Sequence, residues 1–297
     1  MKQTKIAIFG RVFNTSVTPY VNHLFDYLAQ KNVELIIHDE FYAFLKEESN
    51  CPKMLPTFSN HADLPQGIDF MLSLGGDGTM LTAVSIIRDS GIPIAGINFG
   101  RLGFLANIPK TEVENALDQI LTKQYTIQQR ALLCVESPDQ DLFDGENFAL
   151  NDITVFRHDT SSMITIDAWL NGELLNAYWA DGLIIATPTG STAYSLSCGG
   201  PIIMPGSGNF VVTPISPHNL NVRPVVVSEN IELCLKIDSR TDKYILSCDS
   251  KSETLSTDIK LVIKKAPFRI NLIRLEKDSY FGILREKLLW GIDVRNY

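Results

Sequence analysis

The sequence predicts two folds in one chain, an α/β domain with a parallel sheet followed by a β-rich domain. Three observations predict it. Strand and helix patterns alternate up to residue 98. A glycine-framed strand, turn and helix occupies Ile68 to Leu81. Beyond Tyr125, short β-branched runs recur at roughly ten-residue intervals, broken by turns.

Lys5 to Phe9 reads as the first strand, and Pro19 to Gln30 as an amphipathic helix with Val21, Leu24, Phe25 and Leu28 on one face. Val33 to Ile37 is a second strand. From His38 to Gln66 the pattern weakens around Pro52, Pro56 and Pro65, leaving a short helix near Phe41 to Lys46 and a loop. Ile68 to Leu74 is then almost wholly apolar, as expected of a strand buried on both faces. Gly75-Gly76-Asp77-Gly78-Thr79 follows, and a helix begins. Gly91 ends that helix and Pro93 to Ile97 is the next strand. The alternation is that of a Rossmann-like parallel sheet. Lys110 to Leu121 reads as a helix capped by Thr111 with Glu114 at capping-box spacing.

In the second half the clearest hairpin pairs Ile164 to Leu170 with Leu174 to Trp179 across Asn171-Gly172. Further strands are expected at Leu183 to Ala186, Phe210 to Thr213, Pro224 to Val227, Ile231 to Ile237, Tyr244 to Ser247 and Ile259 to Lys264. Ser279 to Trp290 returns to helix and needs a partner surface, for which the first domain is the expectation. The division is therefore 1–98, completed by 274–297, and 99–273.

Composition bounds the function. The 297 residues carry 45% hydrophobic and 20% charged side chains, with a formal net charge of −8. That balance speaks against non-specific nucleic-acid binding. No apolar run is long enough to cross a bilayer and the N-terminus lacks a secretory pattern, so a cytoplasmic location is the expectation. The five cysteines are scattered and unpaired in spacing, and the histidines have no metal-ligand spacing.

Three stretches point to chemistry. Glycines around Asp77 allow close backbone approach at the carboxyl end of a strand, and the following helix aims its N–H groups there, which suits a phosphate. A carboxylate in that place fits a base or metal partner better than an anion ligand. Alone, such a turn could equally be a capped βα junction. Asn151-Asp152 interrupts an otherwise continuous strand, usually the mark of a turn or bulge. The stretch from Ala180 to Pro205 enters a loop with the hydroxyls of Thr187, Thr189, Ser191, Thr192, Tyr194, Ser195 and Ser197. Besides a capped helix start, these are equipment for holding a ribose and stacking on a base.

Together these segments closely resemble NAD kinase, on GGDGTML at Gly75 to Leu81, GRLGFLA at Gly100 to Ala106, Asn151-Asp152, DGLIIATPTGSTAYSLSCGGPI at Asp181 to Ile202, ISPHNLNVRPVVV at Ile215 to Val227, CDS at Cys248 to Ser250, and LREKLLW in the tail. GGDGT turns also occur in diacylglycerol, sphingosine and phosphofructokinases; the TPTGSTAYSLS stretch is specific to NAD kinases. The resemblance implies transfer of the γ-phosphate of ATP to the adenosine ribose 2′-hydroxyl of NAD. It implies Asp77 as general base, Gly75, Gly76, Gly78 and Thr79 at the ATP phosphates, and a divalent ion, Mg²⁺, held mainly through those phosphates. NAD would be bound by Asp77, Gly78, Phe104, Asn151, Asp152, Asp181, Thr189, Thr192, Ala193, Tyr194, Ser195, Leu196 and Ser197, with His218 a further wall position. The partners implied are NAD and ATP, with no nucleic acid and no membrane, in a homodimer or homotetramer. Trp179 and Lys251 depart from the common pattern. Two rivals are a lipid or sugar kinase on the same turn, disfavoured by the nucleoside-suited loop, and a non-catalytic NAD sensor, which has no need of Asp77.

Overall fold

The structure is a computed structural model that describes residues 3–100, 103–160, 162–277 and 279–290. The chain divides into two units, residues 1–128 with 270–297, and 129–269. The expected boundary after Asn98 lies about thirty residues early. The segment after Asn98 stays with the first unit because it adds a parallel strand and a helix to that unit's sheet.

In the first unit β1 (Thr4–Gly10), α1 (Thr18–Ala29), β2 (Val33–His38), α2 (Asp39–Glu48), β3 (Thr57–Phe58), β4 (Phe70–Leu74), α3 (Asp77–Ile87), β5 (Ile94–Asn98), β6 (Ile108–Pro109) and α4 (Val113–Leu121) follow in turn. The sheet runs β5-β4-β1-β2-β3, all parallel, with β6 and Leu272 of the last strand both pairing β5. All five residues of β4 are buried, which explains a sequence that is apolar but for Ser73. Val21, Leu24, Phe25 and Leu28 of α1 join Ile6, Ile8, Phe70 and Leu72 in one core. Each such side chain contributes about 1.5–3 kcal/mol by leaving water. The capping box expected at Thr111 does not form. The chain leaves β6 through a 3-10 turn, Lys110–Glu112, and α4 starts at Val113 with no side-chain cap.

In the second half the elements are β7 (Tyr125–Glu136), β8 (Phe148–Ala149), β9 (Asp152–Arg157), β10 (Ile164–Leu170), β11 (Glu173–Ala180), β12 (Gly182–Ala186), α5 (Tyr194–Ser197), β13 (Asn209–Ile215), β14 (Val225–Ser228), β15 (Glu232–Asp238), β16 (Lys243–Cys248), β17 (Lys251–Ser256), β18 (Leu261–Leu275) and α6 (Tyr280–Leu288). The second unit is a pair of antiparallel sheets, β11-β10-β15 with the start of β18, and β14-β13-β12-β9-β16-β17. Their inner faces share one core that includes Ile166, Leu235, Val155, Ile185, Val212 and Tyr244. The hairpin at Asn171-Gly172 forms as expected, with φ of 50° and 85°, the twist a two-residue turn requires.

The returning segment belongs to the first unit from Ile270 onward. Ser279 caps α6 by accepting from the Gly282 amide at 3.1 Å, and Ile283 and Leu284 are buried. The part of the tail beyond Trp290, and Arg101-Leu102 within GRLGFLA, lie outside the described residues. No described helix is long and apolar enough to cross a membrane.

Candidate active site

The first unit brings Gly75 to Thr79 and Phe104 together. At the carboxyl end of β4, Gly75 has φ 152°, donates its N–H to Ile97 O at 2.9 Å, and packs so tightly on the buried Thr79 that a Cβ would overlap the Thr79 hydroxyl. Gly75 is thus needed by the fold, and the Thr79 side chain is packing. Gly76 and Gly78 differ: a Cβ at either would meet nothing within 4 Å. Only open space stands over them, at a helix start that no side chain caps. This leaves room for a ligand against the first turn of α3.

Asp77 begins α3, and its carboxylate is gripped by three successive amides. Oδ1 accepts from Leu105 N at 3.0 Å and Ala106 N at 2.9 Å, and Oδ2 from Phe104 N at 2.9 Å. Gly103 must be glycine, because a Cβ would overlap Asp77 Oδ1. The loop is pinned by Asn98, which donates to Ala106 O at 3.2 Å and accepts from Gly100 N at 2.7 Å. A carboxylate offers about four lone-pair positions. Three are taken, so one direction on Oδ2 remains for an incoming donor. The Phe104 ring is half-buried and lies 5.6 Å from Lys287 Nζ.

The second unit repeats the device. Asp249, at φ 52° in the turn between β16 and β17, accepts from the Leu150 amide at 2.8 Å through Oδ2, and from Asn151 and Asp152 at 2.8 and 3.1 Å through Oδ1. Burial still raises its pKa, the three amides offsetting part of the cost. Asp152, one turn away, is pushed up to about 7, first by burial and then by the Asp249 charge, with the Thr154 hydroxyl opposing. Near neutral pH Asp152 is therefore a carboxyl able to donate as well as accept. Asp249 had no assigned role in the sequence, although CDS stood out as a motif.

The loop after β12 fuses to this turn. Thr187 donates its amide to Asn151 O at 2.9 Å and its hydroxyl to Leu150 O at 2.5 Å, and Gly190 lies flat against the Asn151 carbonyl. The hydroxyl-rich reading of the loop needs correction here. Ser191 bonds Pro188 O and the Ile203 amide, Thr192 bonds Thr189 O, buried Ser195 pairs with Thr213 at 2.8 Å, and Thr189 accepts from Arg130. A loop that dives into the protein satisfies its own buried polar groups, so these hydroxyls shape it. What it presents outward is Tyr194, 44% exposed, with exposed Ser197 and half-buried Ala193 and Leu196. Burial raises the Tyr194 phenol first, then Cys198, with Asp181 and Asp152 adding, so both carboxylates are within electrostatic reach. Asp181 pairs with Arg157 Nε at 3.0 Å.

The two departures also find partners. Trp179 packs against His218 with ring centroids 4.1 Å apart and planes tilted by 35°, and Lys251 pairs with Glu146 while lying over the Phe148 ring. Among the described residues, no cluster of three His, Cys, Asp or Glu side chains could cage a metal.

Both halves of the chain match one family of known proteins. Residues 6–125 match the ATP-NAD kinase N-terminal domain and residues 150–275 the ATP-NAD kinase C-terminal domain. The chain is 48% identical over 293 residues to an NAD kinase of Flavobacterium psychrophilum, covering 98% of this chain and 100% of that one. It is 46% identical to an NAD kinase of Cytophaga hutchinsonii, covering 98% and 99%. Yeast NADH kinase, solved with NADH, superposes with a TM-score of 0.86 at 25% identity, covering 99% of this chain and 90% of that one.

Proposed function

The chain belongs to the NAD kinase family, whose activity is the phosphorylation of NAD, and on that premise we propose the chemistry its residues perform. The γ-phosphate of ATP passes to the 2′-hydroxyl of the adenosine ribose of NAD, giving NADP. Asp77 is the general base. The observation that carries this reading is the three-amide grip, which fixes the carboxylate and leaves a lone pair of Oδ2 unused. Phosphoryl transfer asks a protein mainly to position groups and balance charge, and a fixed carboxylate does the positioning. A divalent ion bound through the ATP phosphates supplies charge neutralisation.

The ATP phosphates lie over Gly76 and Gly78 at the start of α3, with Gly75 and Thr79 holding that turn in shape. Asn151 and Asp152 grip the adenosine of NAD, Asp152 serving the ribose hydroxyls. Ala193 and Tyr194 meet the adenine, and Asp181, Leu196 and Ser197 the nicotinamide end. Thr189, Thr192 and Ser195 contribute through backbone, their hydroxyls being engaged. Phe104 in the first unit and His218 in the second are proposed wall positions. The protein works in the cytoplasm as a homodimer or homotetramer, without nucleic acid, and supplies NADP.

Gly76→Ala and Gly78→Ala are expected to unfold within about 2 °C of the unaltered chain, because the new methyl meets nothing. Their KM for ATP should rise about tenfold or more, as the methyl takes up the phosphates' space. Gly75→Ala should be less stable, which thermal unfolding checks. The activity itself is tested by incubating the chain with ATP, Mg²⁺ and NAD and following NADP with an NADP-specific dehydrogenase. NADP must accumulate with time; its absence contradicts the proposal.

A further inference from the structure

The peptide that holds Asp77 is itself held. The Phe104–Leu105 peptide gives its N–H to Asp77 Oδ1 at 3.0 Å, and on its opposite edge the Phe104 carbonyl accepts from Arg274 Nη2 at 3.2 Å. Arg274 is half-buried near the end of β18, and its Nε donates to Gln128 Oε1 at 3.1 Å, which fixes the guanidinium plane. The geometry points to Arg274 as a positioning residue for phosphoryl transfer, one that locks the Phe104–Leu105 peptide with its N–H toward Asp77. The assignment rests on Asp77 being the base.

Two effects follow from the arrangement. The cation draws on the peptide dipole, which strengthens the N–H bond made by the same peptide to a carboxylate. It also opposes a flip of that peptide, which would turn a carbonyl oxygen toward Asp77 in place of a donor. Asn98 secures the far end of the loop at Ala106. Arg274 and Lys287, which faces the Phe104 ring, both come from the returning C-terminal segment. The segment thus does more than complete a sheet: it sets the aim of the base.

Beside Arg274 a cavity of about 320 Å³ is lined by Thr126, Ile127, Gln128, Tyr280 and Ile283, large enough for a small planar cation. Arg274→Met should lower kcat about 10- to 100-fold, the scale of a misplaced reacting group, while KM for NAD and ATP stays within about threefold. Millimolar guanidinium should restore part of the lost kcat in Arg274→Met and none in Asp77→Asn. Arg274→Lys, which keeps a donor for the Phe104 carbonyl, should lose less than Arg274→Met and serves as the test if the latter does not fold. A kcat unchanged in both variants, a loss confined to KM, or a loss that guanidinium leaves untouched overturns the assignment. An unaltered chain that makes no NADP overturns instead the functional reading beneath it.

Discussion

Asp77→Asn is expected to lower kcat by about 10²- to 10⁴-fold, the usual contribution of a positioned base. The structure adds a second reason for a large loss. Asparagine keeps one acceptor oxygen, which can serve Leu105 and Ala106, but its amide nitrogen then confronts the Phe104 N–H, donor against donor. Binding separates the two causes. If the loss is chemical, calorimetric affinities for NAD and ATP stay within a few fold; if the loop has moved, they fall along with kcat. Asp77→Glu retains the charge but shifts it by a methylene and cannot serve the same three amides. It too should lose about 10²-fold. Variants that turn over at the original rate would remove Asp77 from the base role.

Asp249→Ala is the second large effect, and it should appear in stability and in NAD affinity together. The change strips the acceptor from the amides of Leu150, Asn151 and Asp152, and an unpaired buried amide costs about 1–3 kcal/mol. Losing a buried charge that burial disfavours offsets part of this. The net expectation is a loss of about 2–4 kcal/mol, seen as a fall of about 5–15 °C in Tm for a unit of this size. The Asn151–Asp152 turn loses its anchor, so NAD affinity should fall about tenfold or more while ATP affinity holds. An unchanged Tm with unchanged NAD binding contradicts the role.

Most of the architecture is legible in the sequence because it follows from periodicity. The apolar run before Gly75, the α1 face and the Asn171-Gly172 hairpin each form where their patterns predict. The misses have physical causes. β18 continues to Leu275, past the expected end at Lys264. Its first residues pair β15, Leu272 pairs β5, and β7 pairs it as well, so tertiary pairing carries the strand through Pro267. β17, KSETLS, is a polar edge strand with no hydrophobic signal to find.

The site divides the same way. Gly75 to Thr79 and Asn151-Asp152 announce themselves locally. What holds them does not: Asp77 is met by amides 27 to 29 residues away, and Asp249 reaches back 97 to 99. Such partners leave no periodic trace. The loop from Thr187 to Ser197 misleads for a related reason, since sequence shows that hydroxyls are present and not that they are already engaged.

The two carboxylates share one design. Each sits at a turn and collects three consecutive amides of a distant loop; in the proposed mechanism Asp77 is thereby held to receive a proton, and Asp249 holds the Asn151–Asp152 turn for a nucleoside. The measurement that tests this account most directly is the position of the transferred phosphate. With ATP, Mg²⁺ and NAD, phosphorus NMR of the product should show one phosphomonoester on the 2′-oxygen of the adenosine ribose, formed in step with ADP, and 2′-deoxy-NAD should yield none. Phosphate on another oxygen, or equal turnover of the deoxy compound, would contradict it.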